Sequence, residues 1–131
     1  MINGAKVICL CGSTRFTEEM LVTQWNFTKQ GHVVLSWCAL PDTYMKVYGD
    51  KAHVGDKEGV KDLVDWVHKR KIDLADEVFV LNIGGYIGES TKSEVIYARE
   101  HGKVVRFLEP EWAYPEIGCL EATVAGHEEQ P

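Results

Sequence analysis

The sequence predicts an α/β domain built on a parallel sheet. Three observations carry that reading. Apolar, β-prone runs recur near residues 5–12, 32–37, 77–85 and 103–110. Helical patterns lie between them, and glycine or proline closes most runs. The runs are continuous rather than alternating, as expected of strands covered on both faces.

The run AKVICLCG, residues 5–12, reads as the first strand, ended by Gly12. After it, Phe16, Met20, Leu21, Trp25 and Phe27 or Thr28 recur near helical spacing, with Gly31 as the stop. HVVLSW, residues 32–37, is a short second strand and completes a β-α-β unit. Residues 36–56 show no sustained period but carry Trp37, Tyr44 and Tyr48, the composition of a lid loop with a helical turn. From Asp56 a second helix is expected, with Val60, Leu63, Val64 and Val67 on its apolar face and His68 solvated in the run HKRK. EVFVLNIGG, residues 77–85, is the third strand, and TKSEVIYAREHG, residues 91–102, the following helix. KVVRFLEP, residues 103–110, is the fourth strand. Residues 1–110 thus form one Rossmann-like or flavodoxin-like domain with four or five parallel strands flanked by helices, and residues 111–131 an acidic tail.

Composition sets the limits on function. The 131 residues, 45% of them hydrophobic, suffice for one domain with a core. A formal charge of −6 argues against nucleic-acid polymer or anionic membrane as partner. No signal peptide or membrane-spanning run is visible, which points to the cytoplasm. Cys9, Cys11, Cys38 and Cys119 include no CxxC and no nearby His pair, and read as buried thiols.

Ligands of open parallel sheets bind beyond the carboxyl ends of the strands, where the strand order reverses. With the order 2-1-3-4, the loops CGSTRF and NIGGYIGEST face one crevice. In the first, Gly12 permits close backbone approach, Ser13 offers a hydroxyl and Arg15 pairs with phosphate oxygens; as a purely structural alternative, Ser13 or Thr14 caps the helix. No Walker or GxGxxG loop is present. In the second, Gly88, Ser90 and Thr91 precede Glu94. TKSE fits a capping box in which Thr91 is the N-cap and Glu94 reaches back to it. Alternatively Glu94 faces the crevice, where a carboxylate can attack a sugar C1' or stabilise an oxocarbenium ion.

The order of ICLCGSTRF, IDLADEVFVLN and GESTKSEVIYAREHGKVV resembles the nucleoside 2-deoxyribosyltransferase superfamily, including 2'-deoxynucleoside 5'-monophosphate N-glycosidases, over about residues 5–107. The best match is the spacing of Gly88, Thr91, Glu94, Ala98, Gly102 and Lys103. The resemblance implies Glu94 as nucleophile, Asp76 as a second carboxylate at the sugar and base, and Ser13 and Arg15 as phosphate ligands. Trp37 or Tyr44 is expected to stack on the base. Family transferases usually carry an Asp where Gly88 stands, which tilts the expectation from base exchange toward hydrolysis. The glycine loop is also similar to that of lysine-decarboxylase-like phosphoribohydrolases. The expected ligand is a nucleotide or nucleoside, with no metal or organic cofactor required. The resemblance further implies a homodimer or larger homo-oligomer, with Trp112 and Tyr114 of the tail as candidate contributors. A non-catalytic nucleotide-sensing module is the alternative function.

Overall fold

A computed structural model describes residues 4–46 and 58–110. Their chain order is β1 (Val7–Gly12), α1 (Thr17–Lys29), β2 (Val33–Leu35), the short α2 (Asp42–Met45), α3 (Lys61–Leu74), β3 (Glu77–Leu81), α4 (Glu89–Glu100) and β4 (Val104–Phe107). Single 3-10 turns follow β1 at Thr14–Phe16 and β3 at Ile83–Gly85. The four strands form one parallel sheet in the order β2-β1-β3-β4, the order on which the convergence of the two loops depends, flanked by three helices. Val7 pairs with Val33, and Leu10 with Phe79; Val78 pairs with Val105.

Successive strand residues point to opposite faces, so β1 and β3 feed two cores. Cys9, Cys11, Val78 and Val80 meet Ile72, Val95 and Ala98 of α3 and α4 on one face. Ile8, Leu10, Phe79 and Leu81 meet Met20 and Trp37 on the other. Every residue of β3 is buried, which explains its unbroken apolar run. Glu77 is the buried exception, answered by Arg106 at 3.0 and 2.9 Å and by Lys6 at 3.3 Å.

α3 departs from its expected orientation. Val60, Leu63, Val64 and Val67 are 37 to 59% exposed, while His68 and Ile72 are its buried residues. Helix registry settles this: Ile72 must enter the α3/α4 core, and His68, one turn earlier, shares that face. His68 is therefore not a solvated member of a basic run. In α1 likewise, only Met20 is buried, and Trp25 is 60% exposed. The expected lid lies partly outside the described residues, since residues 47–57 fall there, as does the tail with Trp112, Tyr114 and Cys119. No helix among the described residues is long and apolar enough to cross a membrane.

Candidate functional site

The crevice opens where β1 and β3 end side by side. Gly12 pairs with Leu81 at the last register position, so the loops after both strands leave the sheet together. A cavity of about 320 Å³ lies between them, lined by residues that include Ser13, Arg15, Trp37, Lys61, Asp65 and His68 from one side. Tyr86, Gly88, Ser90, Thr91 and Glu94 close the other side. The volume is at the lower end of small-molecule pockets.

Each wall has a local cause. Ser13 caps the turn after β1 by accepting the Arg15 N–H at 3.2 Å, and Arg15 lies over the Tyr86 ring at 3.9 Å. Trp37 is buried and its indole N–H donates to Thr17 Oγ1 at 3.1 Å, which fixes the ring. A Cβ on Gly12 would sit 3.0 Å from that ring and 3.2 Å from the Leu81 carbonyl, so glycine is required by close packing. The loop after β3 turns through Gly84 and Gly85, both at positive φ. It is tied down by Asn82, whose side chain donates to the Glu109 carbonyl and accepts the Glu109 N–H.

α4 begins earlier than the capping box required. Gly88 is its N-cap in extended conformation, the helix opens at Glu89, and no side chain makes a cap hydrogen bond. The first helical bond runs from Lys92 N–H to Gly88 C=O at 3.0 Å. Thr91 is consequently a buried first-turn residue rather than the N-cap, and Glu94 is in the second turn, facing inward at 6% exposure. Of the two readings of Glu94, the cap is the one the structure removes.

Glu94 is held in an unusual environment. Its Oε1 is buried without a hydrogen-bond partner, and lies 3.9 Å from His68 Nε2. Burial pushes its carboxyl up to about 7, against the opposing pull of His68 and a hydrogen bond from Cys11. Burial acts to lower His68, but its hydrogen bond to Cys9 and the charge of Glu94 outweigh that and raise it. His68 Nε2 lies 3.6 Å from Cys9 Sγ and 3.4 Å from Cys11 Sγ. At the rim, Lys61 Nζ donates to Asp65 at 2.9 Å and to Ser90 Oγ at 3.2 Å.

Gly12, Ser13, Arg15, Trp37, Gly88, Ser90, Thr91 and Glu94 thus share one crevice, as the convergence of the two loops anticipates. Asp76 does not join them. It precedes β3 at the amino edge of the sheet, where its carboxylate accepts the Val7 N–H at 2.7 Å. Five strand residues at ~3.3 Å each separate it from the crevice by about 17 Å. Tyr44 does not line the cavity either; its hydroxyl donates to the Glu58 carboxylate, closing the short α2 back toward α3. The sequence reading missed Lys61, Asp65 and His68. Their spacing of four and three residues is one helix face, a signal that was present but was outweighed by the apolar stripe beside it.

No protein-family model, curated protein or solved structure matches this chain.

Proposed function

We propose that the crevice hydrolyses or transfers at the N-glycosidic bond of a (deoxy)nucleoside 5'-monophosphate or nucleoside, with Glu94 as nucleophile. The observation that carries this reading is the Glu94 carboxylate, withdrawn from water in the wall of a cavity whose rim bears Ser13, Arg15, Lys61 and Ser90. A desolvated carboxylate is a stronger nucleophile than a hydrated one, and the cationic and hydroxyl groups suit a 5'-phosphate.

In the proposed reaction the anionic Glu94 attacks C1', and the C1'–N bond breaks with its electron pair leaving on the base. The base takes a proton from an ionisable side chain of the crevice wall or from solvent, and water, giving up a proton, or a second base then displaces the glycosyl ester from Glu94 with net retention. The role that the resemblance implies for Asp76 passes in this scheme to His68 or Asp65, the ionisable neighbours of Glu94 in the crevice wall. Trp37 supplies the apolar surface for sugar or base. The reading includes a homo-oligomer, supported by the exposed Leu63, Val64 and Trp66 of α3, which light scattering tests. It also includes the cytoplasm, with which the free Cys9, Cys11 and Cys38 agree.

The test is release of free base from a panel of deoxynucleoside monophosphates, comparing the native chain with Glu94→Ala. Release by the native chain and its loss in the variant are expected; release that survives removes Glu94 from the mechanism. A second reading, a nucleotide-binding module without catalysis, is favoured by one observation: a carboxyl raised to about 7 is partly protonated at neutral pH and then is no nucleophile. Saturable nucleotide binding with no base released from any substrate would establish that reading instead.

A further inference from the structure

Behind Glu94 and His68, beneath the crevice wall, lie two buried sulfur atoms. Cys9 and Cys11 are two residues apart on β1, hence on one face of the strand, and both are fully buried. α3 brings His68 over that face. The two thiol sulfurs and the imidazole nitrogen all lie within 4.8 Å of one another.

We infer that Cys9, Cys11 and His68, with Glu94 as the fourth ligand, form a binding site for a thiophilic divalent cation of the zinc class. Three observations support it. The first is spacing. Zinc bonds of ~2.3 Å to sulfur and ~2.0 Å to nitrogen, at a tetrahedral angle, set S and N about 3.6 Å apart. The S···Nε2 distances here are 3.6 and 3.4 Å, so these donors fit without backbone movement. The second is an unmet polar group. Nε2 faces two sulfurs and a carboxylate oxygen but carries at most one proton, so it cannot donate to all three acceptors. Glu94 Oε1 is such an acceptor, fully buried, without a hydrogen-bond partner, and 3.9 Å from the same nitrogen. A cation held by the two sulfurs and Nε2 satisfies this oxygen as well once side-chain rotation brings Glu94 closer. The third is access: His68 and Glu94 line the crevice while the cysteines lie behind them, so an ion enters by the mouth of the cavity.

The donor set selects the metal. Two thiolates, one imidazole and one carboxylate suit Zn²⁺, Co²⁺ or Cd²⁺, and disfavour Mg²⁺ and Ca²⁺, which prefer all-oxygen shells. Binding displaces the thiol protons to solvent and forms two metal–sulfur bonds without any change of oxidation state. Lys71 is close enough to act electrostatically on Cys9 and opposes the cation, whereas Asp65, acting on Glu94, favours it. One consequence rests on the proposed function: metal and substrate compete, because a Glu94 oxygen bound to metal is withdrawn from C1'. The metal site itself does not depend on that function.

The experiment is anaerobic titration of the chelator-treated full chain with Co²⁺, read in the near-ultraviolet for sulfur-to-cobalt charge transfer and in the visible for tetrahedral ligand-field bands. The expected result is saturation at about one equivalent, bleaching by Zn²⁺, and affinity at least about tenfold weaker in Cys11→Ser and in His68→Gln. Cys38→Ser and Cys119→Ser leave the spectrum unchanged. If Cys11→Ser does not fold by circular dichroism, Cys9→Ser and His68→Gln carry the comparison. Absence of a charge-transfer band, or a band that survives Cys9→Ser and Cys11→Ser but is lost in Cys38→Ser or Cys119→Ser, overturns the inference. Because the titration contains no substrate, an inactive chain that binds cobalt this way refutes only the glycosidic reading. An active chain that does not bind cobalt refutes only the metal site.

Discussion

Replacing Glu94 by Gln should remove a pH-dependent weakness of the folded domain. Burial raises this carboxyl from 4.5 to about 7, so the folded protein holds its proton more tightly than the unfolded chain does. Between those two values the folded state therefore binds more protons, and stability falls as pH rises. The favourable contribution is complete below 4.5 and is lost once pH passes about 7. At 1.36 kcal/mol for each unit, the total is about 3 kcal/mol. About 2.5 kcal/mol of this is lost between pH 5 and pH 8, which for a domain that loses ~2 kcal/mol per molar urea lowers the unfolding midpoint by about 1.2 M. Glutamine has the same shape and no titration, so the variant should match the native chain at pH 5 and exceed it at pH 8. The assay is equilibrium urea unfolding followed by circular dichroism, with a chelator present to keep the protein metal-free. Midpoints that move in parallel for both proteins across this range would refute the assignment of a desolvated carboxyl to Glu94.

Other outcomes follow from the same geometry. Catalysis through an anionic Glu94 should increase as pH rises through about 7, a limb that a rate profile of base release will show or not. Gly12→Ala forces a methyl to 3.0 Å from Trp37 and 3.2 Å from the Leu81 carbonyl, and should cost about 1–3 kcal/mol, read as a lowered Tm. Glu77→Ala strips the carboxylate from a largely buried Arg106 and should cost about 3–5 kcal/mol in urea unfolding, whereas a loss under 1 kcal/mol would mean that water already reaches that pair. Asp76→Ala should lower stability by about 1–2 kcal/mol through the lost bond to Val7 N–H yet leave base release per folded molecule unchanged. A kinetic defect in a fully folded Asp76→Ala protein would return that residue to the mechanism.

Much of this molecule was legible because its two central strands, β1 and β3, are buried on both faces. Continuous apolar runs ending in glycine or in a polar loop located all four strands, and the placement of those loops anticipated that Ser13, Arg15 and Glu94 would meet. Local chemistry was a poorer guide to helix starts. TKSE has the composition of a capping box, yet Gly88 begins the helix three residues sooner, because an extended glycine can serve as N-cap and Thr91 is packed inside. Asp76 is next to a strand in sequence, but a parallel strand has two ends, and it stands at the wrong one.

The sequence by itself determined the strand and helix alternation and the two polar loops that follow the first and third strands, since each follows from near-neighbour patterning, whereas the packed sheet fixed the strand order that sets those loops side by side. Tertiary structure alone decided which face of α3 turns inward. Four exposed aliphatic residues advertised one face, but Ile72 packing against the sheet selected the other and carried His68 with it. That rotation places an imidazole between two thiols and a carboxylate drawn from β1 and α4. Residues so distant along the chain are brought together only by packing, and no local spacing encodes their encounter.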